Sequence, residues 1–161
     1  MRDPRDLAQL IHLSLAANTK LELTGSSLAP THPKVINIIN SWLPGFKNNP
    51  NLKLISQRGD FSKRITQLKK KGFVIVGTSS HQGKSLFGSS PLHKEQLAKT
   101  SLAQGKHVIV FGTETSGLSE AKLREMDLVL SVPMKNETKF FTLGSIVPVF
   151  VYEALRQKKL L

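Results

Sequence analysis

Two short segments combine glycine with small hydroxyl residues directly after an apolar run. Gly77-Thr78-Ser79-Ser80-His81-Gln82-Gly83 follows Phe73-Val74-Ile75-Val76, and Gly112-Thr113-Glu114-Thr115-Ser116-Gly117-Leu118 follows Val108-Ile109-Val110-Phe111. Glycine lets backbone N–H groups approach a ligand closely, and a helix starting just after such a loop adds the positive end of its dipole. Phosphate is the default ligand of that arrangement. The spacing matches neither Walker A nor the dinucleotide fingerprint, and Glu114 would repel a phosphate. Taken alone, each loop reads either as a ligand cradle or as a plain turn between strand and helix. A third loop, Pro133-Met134-Lys135-Asn136-Glu137-Thr138, follows the apolar run 128–132.

Other groups able to do chemistry are sparse. His32, His93 and His107 have no metal-ligand spacing, and His81 reads as a loop histidine, so no metal site is expected. Cysteine is absent, which excludes disulfide scaffolds, zinc ribbons and thiol nucleophiles. Lys and Arg number 23 against 11 Asp and Glu, a net charge of +12, the footprint of a protein whose partner is a polyanion. The cluster Lys63, Arg64, Lys69, Lys70 and Lys71 is read either as a solvated helix face or as a phosphate-contact surface. Trp42, Tyr152 and the phenylalanines fall mostly at apolar periodic positions, so no base-stacking platform is expected.

The elements that position these loops follow from periodicity and punctuation. Helices are expected over residues 5–18, from Thr31 as N-cap through the stripe Val35, Ile36, Ile39 and Trp42 to the stop at Pro44-Gly45, and over 60–71, 91–104 and 119–126. A final long helix carries Leu143, Ile146, Val147, Phe150, Val151, Ala154 and Leu155 on its apolar face. Strands are expected at 20–24, 52–56, 73–77, 107–111 and 128–132. Helices and strands alternating in this way predict an α/β fold, a parallel sheet with helices on both faces and right-handed crossovers. Its 161 residues, 39% hydrophobic and without a linker or repeat, are expected to form a single domain over 1–161. In such sheets ligands bind beyond the carboxyl ends of the strands, where the three loops lie. No apolar run is long enough to span a membrane and the opening Met1-Arg2-Asp3-Pro4 lacks a secretory pattern, so the expected compartment is the cytoplasm.

The last third carries a larger pattern. Val110-Phe111-Gly112-Thr113-Glu114-Thr115-Ser116-Gly117-Leu118-Ser119, then Leu130-Ser131-Val132-Pro133-Met134, then Val151-Tyr152-Glu153-Ala154-Leu155-Arg156-Gln157, resembles the SpoU/TrmH-type RNA 2'-O-ribose methyltransferases of the SPOUT, or α/β-knot, class. Val76-Gly77-Thr78-Ser79-Ser80 also looks like that family's loop after the preceding buried strand. The resemblance implies a C-terminal deep trefoil knot, a homodimer, and S-adenosylmethionine bound by the three loops. Carried over by position, Gly77, Thr78, Gly112, Val132, Met134, Thr142 and Leu143 would form the cofactor pocket, with Glu114, the acidic residue of the family's G-N-E loop, among the catalytic residues. Thr113 stands where that loop has Asn, and Phe140-Phe141-Thr142 where the family has S-L-N.

At the other end, Asp3-Pro4-Arg5-Asp6-Leu7-Ala8-Gln9-Leu10-Ile11-His12 can be laid on the family's N-P-x-N-x-G-x-x-x-R, with Asp6, Ala8 and His12 replacing its second Asn, Gly and catalytic Arg. A ribose hydroxyl is a poor nucleophile and needs a base to take its proton. The resemblance then makes His12 that base, Asp6 the residue orienting it, and Arg5 a holder of an RNA phosphate. The expected function is S-adenosylmethionine-dependent methylation of tRNA or rRNA at the ribose 2'-oxygen. The alternatives are an RNA-binding protein of this fold without methyl transfer and an enzyme of this fold with a base acceptor.

Overall fold

The computed structural model describes residues 3–25, 27–80, 84–85, 102, 104–132 and 141–160. The chain gathers into two compact units, 1–64 and 65–161. In the first, α1 (Pro4–Ala16) opens with Pro at its first position and Asp3 as N-cap, whose carboxylate accepts the Arg5 N–H at 2.7 Å. α2 (Pro33–Trp42) starts likewise, but its N-cap is His32 rather than the expected Thr31: Pro33 fixes the boundary, and His32 Nδ1 accepts the Lys34 N–H at 3.3 Å. Leu7, Ala8 and Ile11 of α1 pack with Val35 and Ile39 of α2, Phe46, and Leu23 of β1 (Leu21–Leu23) in one apolar cluster.

β1 pairs in parallel with β2 (Ile55–Gln57), register Leu21↔Ile55 to Leu23↔Gln57. Leu52, expected to begin a strand, lies instead in a 3-10 turn, Pro50–Leu54, because Pro50 and the Asn49 side-chain cap favour a tight helical turn. α3 (Phe61–Lys70) follows, and Arg64 in its second turn grips Glu22 of β1 with Nε and Nη2 at 2.7 and 2.6 Å. That fork of hydrogen bonds holds the Glu22 carboxyl below its ordinary pKa against the opposing effect of burial.

The second unit is built on β3 (Phe73–Thr78), β4 (Lys84–Ser85), β5 (Lys106–Val110) and β6 (Leu128–Ser131), in the order β4-β6-β3-β5 with every pairing parallel. The single five-stranded sheet expected from sequence is thus two parallel sheets among the described residues, with β1 and β2 pairing only with each other. Gly72, at φ 75°, ends α3 and turns the chain into β3 as expected. The short α4 (Glu120–Arg124) is capped by Ser119. The long α5 (Leu143–Gln157) lays Phe150 against Val76, Leu102 and Leu130, and Phe150 meets Phe111 edge-on with ring centroids 5.4 Å apart. The helix expected over 91–104 falls outside the described residues except for Leu102 and Gln104.

One charged residue belongs to this core. Glu153 is buried on the same face of α5 as Val147 and Phe150. It accepts hydrogen bonds from Arg156 Nε and Nη2 at 2.8 and 2.7 Å and from Gln157 Nε2 at 2.8 Å, while Gln157 Oε1 accepts the Leu102 N–H at 2.7 Å. The Arg156 guanidinium holds the Glu153 carboxyl below the ordinary carboxylate range, although burial opposes it. No helix of the described chain is long and apolar enough to cross a membrane.

His107 in β5 makes the fold sensitive to acid. Its Nδ1 is buried without a hydrogen-bond partner among the described residues. Burial pushes the imidazole below its ordinary pKa and the nearby Lys158 ammonium adds to that, against a hydrogen bond at Gly105. The unfolded chain therefore takes up this proton first, so stability is full above about pH 6.5 and falls as pH drops through the lower folded value. His107→Gln should flatten this dependence, measured as urea midpoints between about pH 8 and pH 5. Parallel wild-type and variant curves would contradict it.

Candidate functional site

β3 lies between β5 and β6, and all three run the same way, so their carboxyl ends come out side by side. Short bonds fix those ends. Thr78 Oγ1 donates to the Val110 carbonyl at 3.0 Å and the Ser79 N–H donates to the Leu130 carbonyl at 3.1 Å. Gly77, Thr78, Gly112 and Val132 are thereby gathered at one end of the sheet. Val132 and Ile146 both pack on the Val76–Leu130–Phe150 cluster, which brings the first turns of α5 to the same apolar neighbourhood. Thr142 is the N-cap of α5, its hydroxyl 3.0 Å from that of Ser145, and half-buried Leu143 opens the helix. Met134 and His81 fall outside the described residues.

The geometry assigns each glycine a specific task. The 112–117 loop closes on itself: Thr113 N–H donates to the Gly117 carbonyl at 3.2 Å, and Gly117 N–H returns the bond to Thr113 at 3.0 Å. Thr113 Oγ1 lies 2.9 Å from Ser116 Oγ, and Gly117 takes φ 65°, the left-handed conformation that closure needs. A Cβ placed on Gly112 would fall on the backbone of Gly117 and Leu118. Gly112 is required by the loop's own fold, ahead of any ligand. Gly77 is required by packing: a Cβ there would stand 2.6 Å from Met126 Cγ and 3.3 Å from Leu123 Cδ2. Its side-chain direction is filled by protein, so any contact it makes to a ligand is through backbone alone. Glu114 is exposed within the closed loop.

Midway along β3, Asp127 Oδ2 accepts the Ile75 N–H at 2.8 Å, Asp127 N–H donates to the Ile75 carbonyl at 2.9 Å, and Lys69 Nζ lies 2.8 Å from Asp127 Oδ1. Burial alone would raise the Asp127 pKa, but the bonds from Lys69 and Ile75 outweigh it and hold the carboxyl low. Sequence reading missed Asp127, Met126 and Glu153. The first two sit just outside an apolar run, and a carboxylate at a core position of α5 gives no sign of its Arg156 and Gln157 partners.

Arg5, Asp6 and His12 belong to the first unit, on α1. Asp6 and His12 are six residues apart, about 9 Å along the helix and some 120° around it, so α1 does not offer Asp6 to His12 as an orienting partner. His12 is exposed and stands edge-on to Trp42, ring centroids 6.1 Å apart and planes at 71°. It is not the core-face histidine that helix periodicity allows. Among the described residues no cluster of three or more His, Asp or Glu side chains is arranged to hold a metal.

Comparison with known proteins bears on this arrangement. The family profile described as SpoU rRNA Methylase matches residues 3–152. A Serratia marcescens protein, the uncharacterized tRNA/rRNA methyltransferase LasT, is 37% identical over 59 residues, 37% of this chain and 30% of that protein. The tRNA (cytidine-2'-O-)-methyltransferase TrmJ of Methanocaldococcus jannaschii is 30% identical over 87 residues, 53% of this chain and 38% of that protein. The matched segments thus span about a third of those relatives' length. Among solved structures, one from work on 2-OH methylation of C/U34 on tRNA aligns with TM-score 0.71 and 19% identity over 98% of this chain and 91% of that chain. AviRb of Streptomyces viridochromogenes in complex with AdoMet aligns with TM-score 0.72 and 19% identity over 98% of this chain and 54% of that chain. These likenesses show a shared α/β fold.

The packing argument predicts different costs at the two glycines. Gly112→Val, which strikes backbone, should destabilise by about 2 kcal/mol or more, and Gly77→Ala, which displaces only a flexible methionine, by about 1 kcal/mol. Met126→Ala should remove most of the Gly77→Ala penalty in a double-mutant cycle. Denaturant midpoints decide it; equal costs at the two glycines, or additivity at Gly77 and Met126, would contradict the assignment.

Proposed function

Because the chain belongs to the SpoU rRNA methylase family, we propose that it is an S-adenosylmethionine-dependent RNA methyltransferase acting on a ribose 2'-hydroxyl of tRNA or rRNA. The observation that carries the reading is the family match across residues 3–152, nearly the whole chain. It is supported by the three parallel strand ends aligned at one edge, the place where α/β sheets hold their ligands. The relative named for cytidine-2'-O methylation of tRNA favours the ribose acceptor. In this reading 1–161 is one methyltransferase domain with a C-terminal knot, working as a cytoplasmic homodimer. Exposed Val149 and Tyr152, three residues apart on α5, support a helix face covered by a second copy.

The residues fit the cofactor in kind. Half-buried Val132 and Leu143 offer apolar walls for an adenine, while Gly77, Thr78, Gly112 and Thr142 offer small surfaces and backbone groups. Met134 is assigned to the same pocket by the resemblance. When bound, the cofactor supplies a methyl group on a sulfonium, an electrophile with its own driving force. The protein's share is alignment and proton removal. By the resemblance, His12 would take the proton from the 2'-oxygen and Arg5 would hold a neighbouring phosphate. Glu114 is exposed for contact with the acceptor side.

The basic surface is narrower than the sequence suggests. Arg64 is committed to Glu22 and Lys69 to Asp127, which leaves Lys63, Lys70 and Lys71 exposed on and just after α3 for phosphate contact. Replacing these three with Gln should flatten the salt dependence of RNA binding by up to about three units of log–log slope, whereas Lys69→Gln should lower stability instead. An unchanged slope in the triple variant would return α3 to a solvated face.

The reading itself is tested by titration calorimetry with S-adenosylmethionine, followed by transfer of a tritiated methyl group to tRNA and rRNA. Binding together with RNA labelling is expected. His12→Ala should cut transfer about a hundredfold to ten-thousandfold while leaving cofactor affinity intact. Cofactor binding without labelling of any RNA would favour an RNA-binding protein of this fold. A label found on a base would move the acceptor from ribose to base.

A further inference from the structure

Trp42 completes the apolar spacing of α2, yet it is 45% exposed while Val35 and Ile39 are buried. It ends a stripe at four-residue spacing, exposed Lys34, half-buried Ile38 and exposed Trp42. On α1 a second exposed stripe, Arg5, Gln9 and His12, follows the same helical face rule. The two stripes meet at both ends. Arg5 and Lys34 line a hollow of about 460 Å³ together with Asp3, Pro4, Asn37 and Ile38, and His12 stands edge-on to Trp42. The seven or eight residues between the two ends span about 10–12 Å of helix. The α1–α2 face is therefore a shallow groove, cationic at one end and aromatic at the other, lying wholly within the first unit.

We propose that this groove binds RNA as a single strand, an unpaired base stacking on Trp42 and a nearby phosphate held by Arg5 and Lys34. An exposed indole is a large apolar surface, and base–aromatic stacking is how proteins hold splayed-out bases. The charge at the other end fixes the class of occupant. α2 contains Lys34 and no acidic residue, and the Asp3 carboxylate in the hollow is committed to capping α1 through the Arg5 N–H. A polyanion is drawn to these cations and to the +12 chain as a whole. Trp42 has the spacing of a core residue but not the burial of one.

This inference rests on the RNA reading above, and its test separates the two. Trp42 is the only tryptophan of the chain, so its emission reports on the groove alone. The probes are a labelled short oligouridylate and a matched abasic strand, titrated into the full chain with fluorescence and anisotropy read together. Saturable quenching at the same midpoint as the anisotropy change is expected for oligouridylate, with little quenching by the abasic strand. Trp42→Ala should weaken binding about 5- to 150-fold, Trp42→Phe should restore most of it, and Arg5→Gln with Lys34→Gln should lower the salt slope by about two. Circular dichroism of the variants checks that the fold is kept. RNA binding with unaltered Trp42 emission overturns the inference and leaves the RNA reading standing. Loss of a dimer in Trp42→Ala with RNA affinity unchanged overturns it in favour of a second copy. Failure to bind any RNA at low salt overturns both.

Discussion

The parallel pairing of β3 with β5 on one side and β6 on the other is the constraint on which the second unit depends. Parallel strands share one direction, so fixing the register of β3 fixes where three loops emerge. The register is held at the carboxyl end, by Thr78 and Ser79 reaching the Val110 and Leu130 carbonyls, and in mid-strand by Asp127 bonded in both directions to Ile75. A slip of one residue would turn every side chain of β3 to its other face. It would also carry Gly77 away from Met126, under which only a glycine fits without displacement. Packing and hydrogen bonding thus specify the same register.

That rigidity changes what the glycine-rich loops mean. Their composition looks like a cradle for a ligand, but Gly112 answers first to Gly117 and Leu118, and Gly77 to Met126. Thr113, which stands where the family has Asn, bridges to Gly117 through its backbone and to Ser116 through its hydroxyl. The altered residue is therefore built into the loop's closure. Such a loop presents backbone at the sheet edge already ordered, so little conformational entropy remains to be lost when a ligand arrives.

Much of this was legible in the sequence. The strands β3, β5 and β6 stand out as apolar runs, the mark of strands covered on both faces, and helix ends follow Pro4, Pro33, Gly45 and Gly72 closely. Periodicity could not tell which part of an apolar face another element would cover. Trp42 lies in register with Val35 and Ile39 but at the last turn of α2, where it stays 45% exposed beside His12. The reverse holds at Glu153, a core position by spacing that its charge disguises, made tolerable by Arg156 and Gln157. The separation of β1 and β2 into their own sheet left no mark either, since three-residue strands look alike whatever they pair with. The candidate site was legible as loops, by resemblance, while the tasks of Gly77 and Gly112 needed coordinates.

The central claim is that the ends of β3, β5 and β6, with the start of α5, hold S-adenosylmethionine. Backbone amide chemical shifts of the labelled protein, recorded as the cofactor is added, test it directly. The account predicts saturable shifts clustered at residues 77–80, 111–118, 130–132 and 142–146, with the amides of α1 and α2 little changed. Shifts centred elsewhere, or none at saturating cofactor, would contradict it.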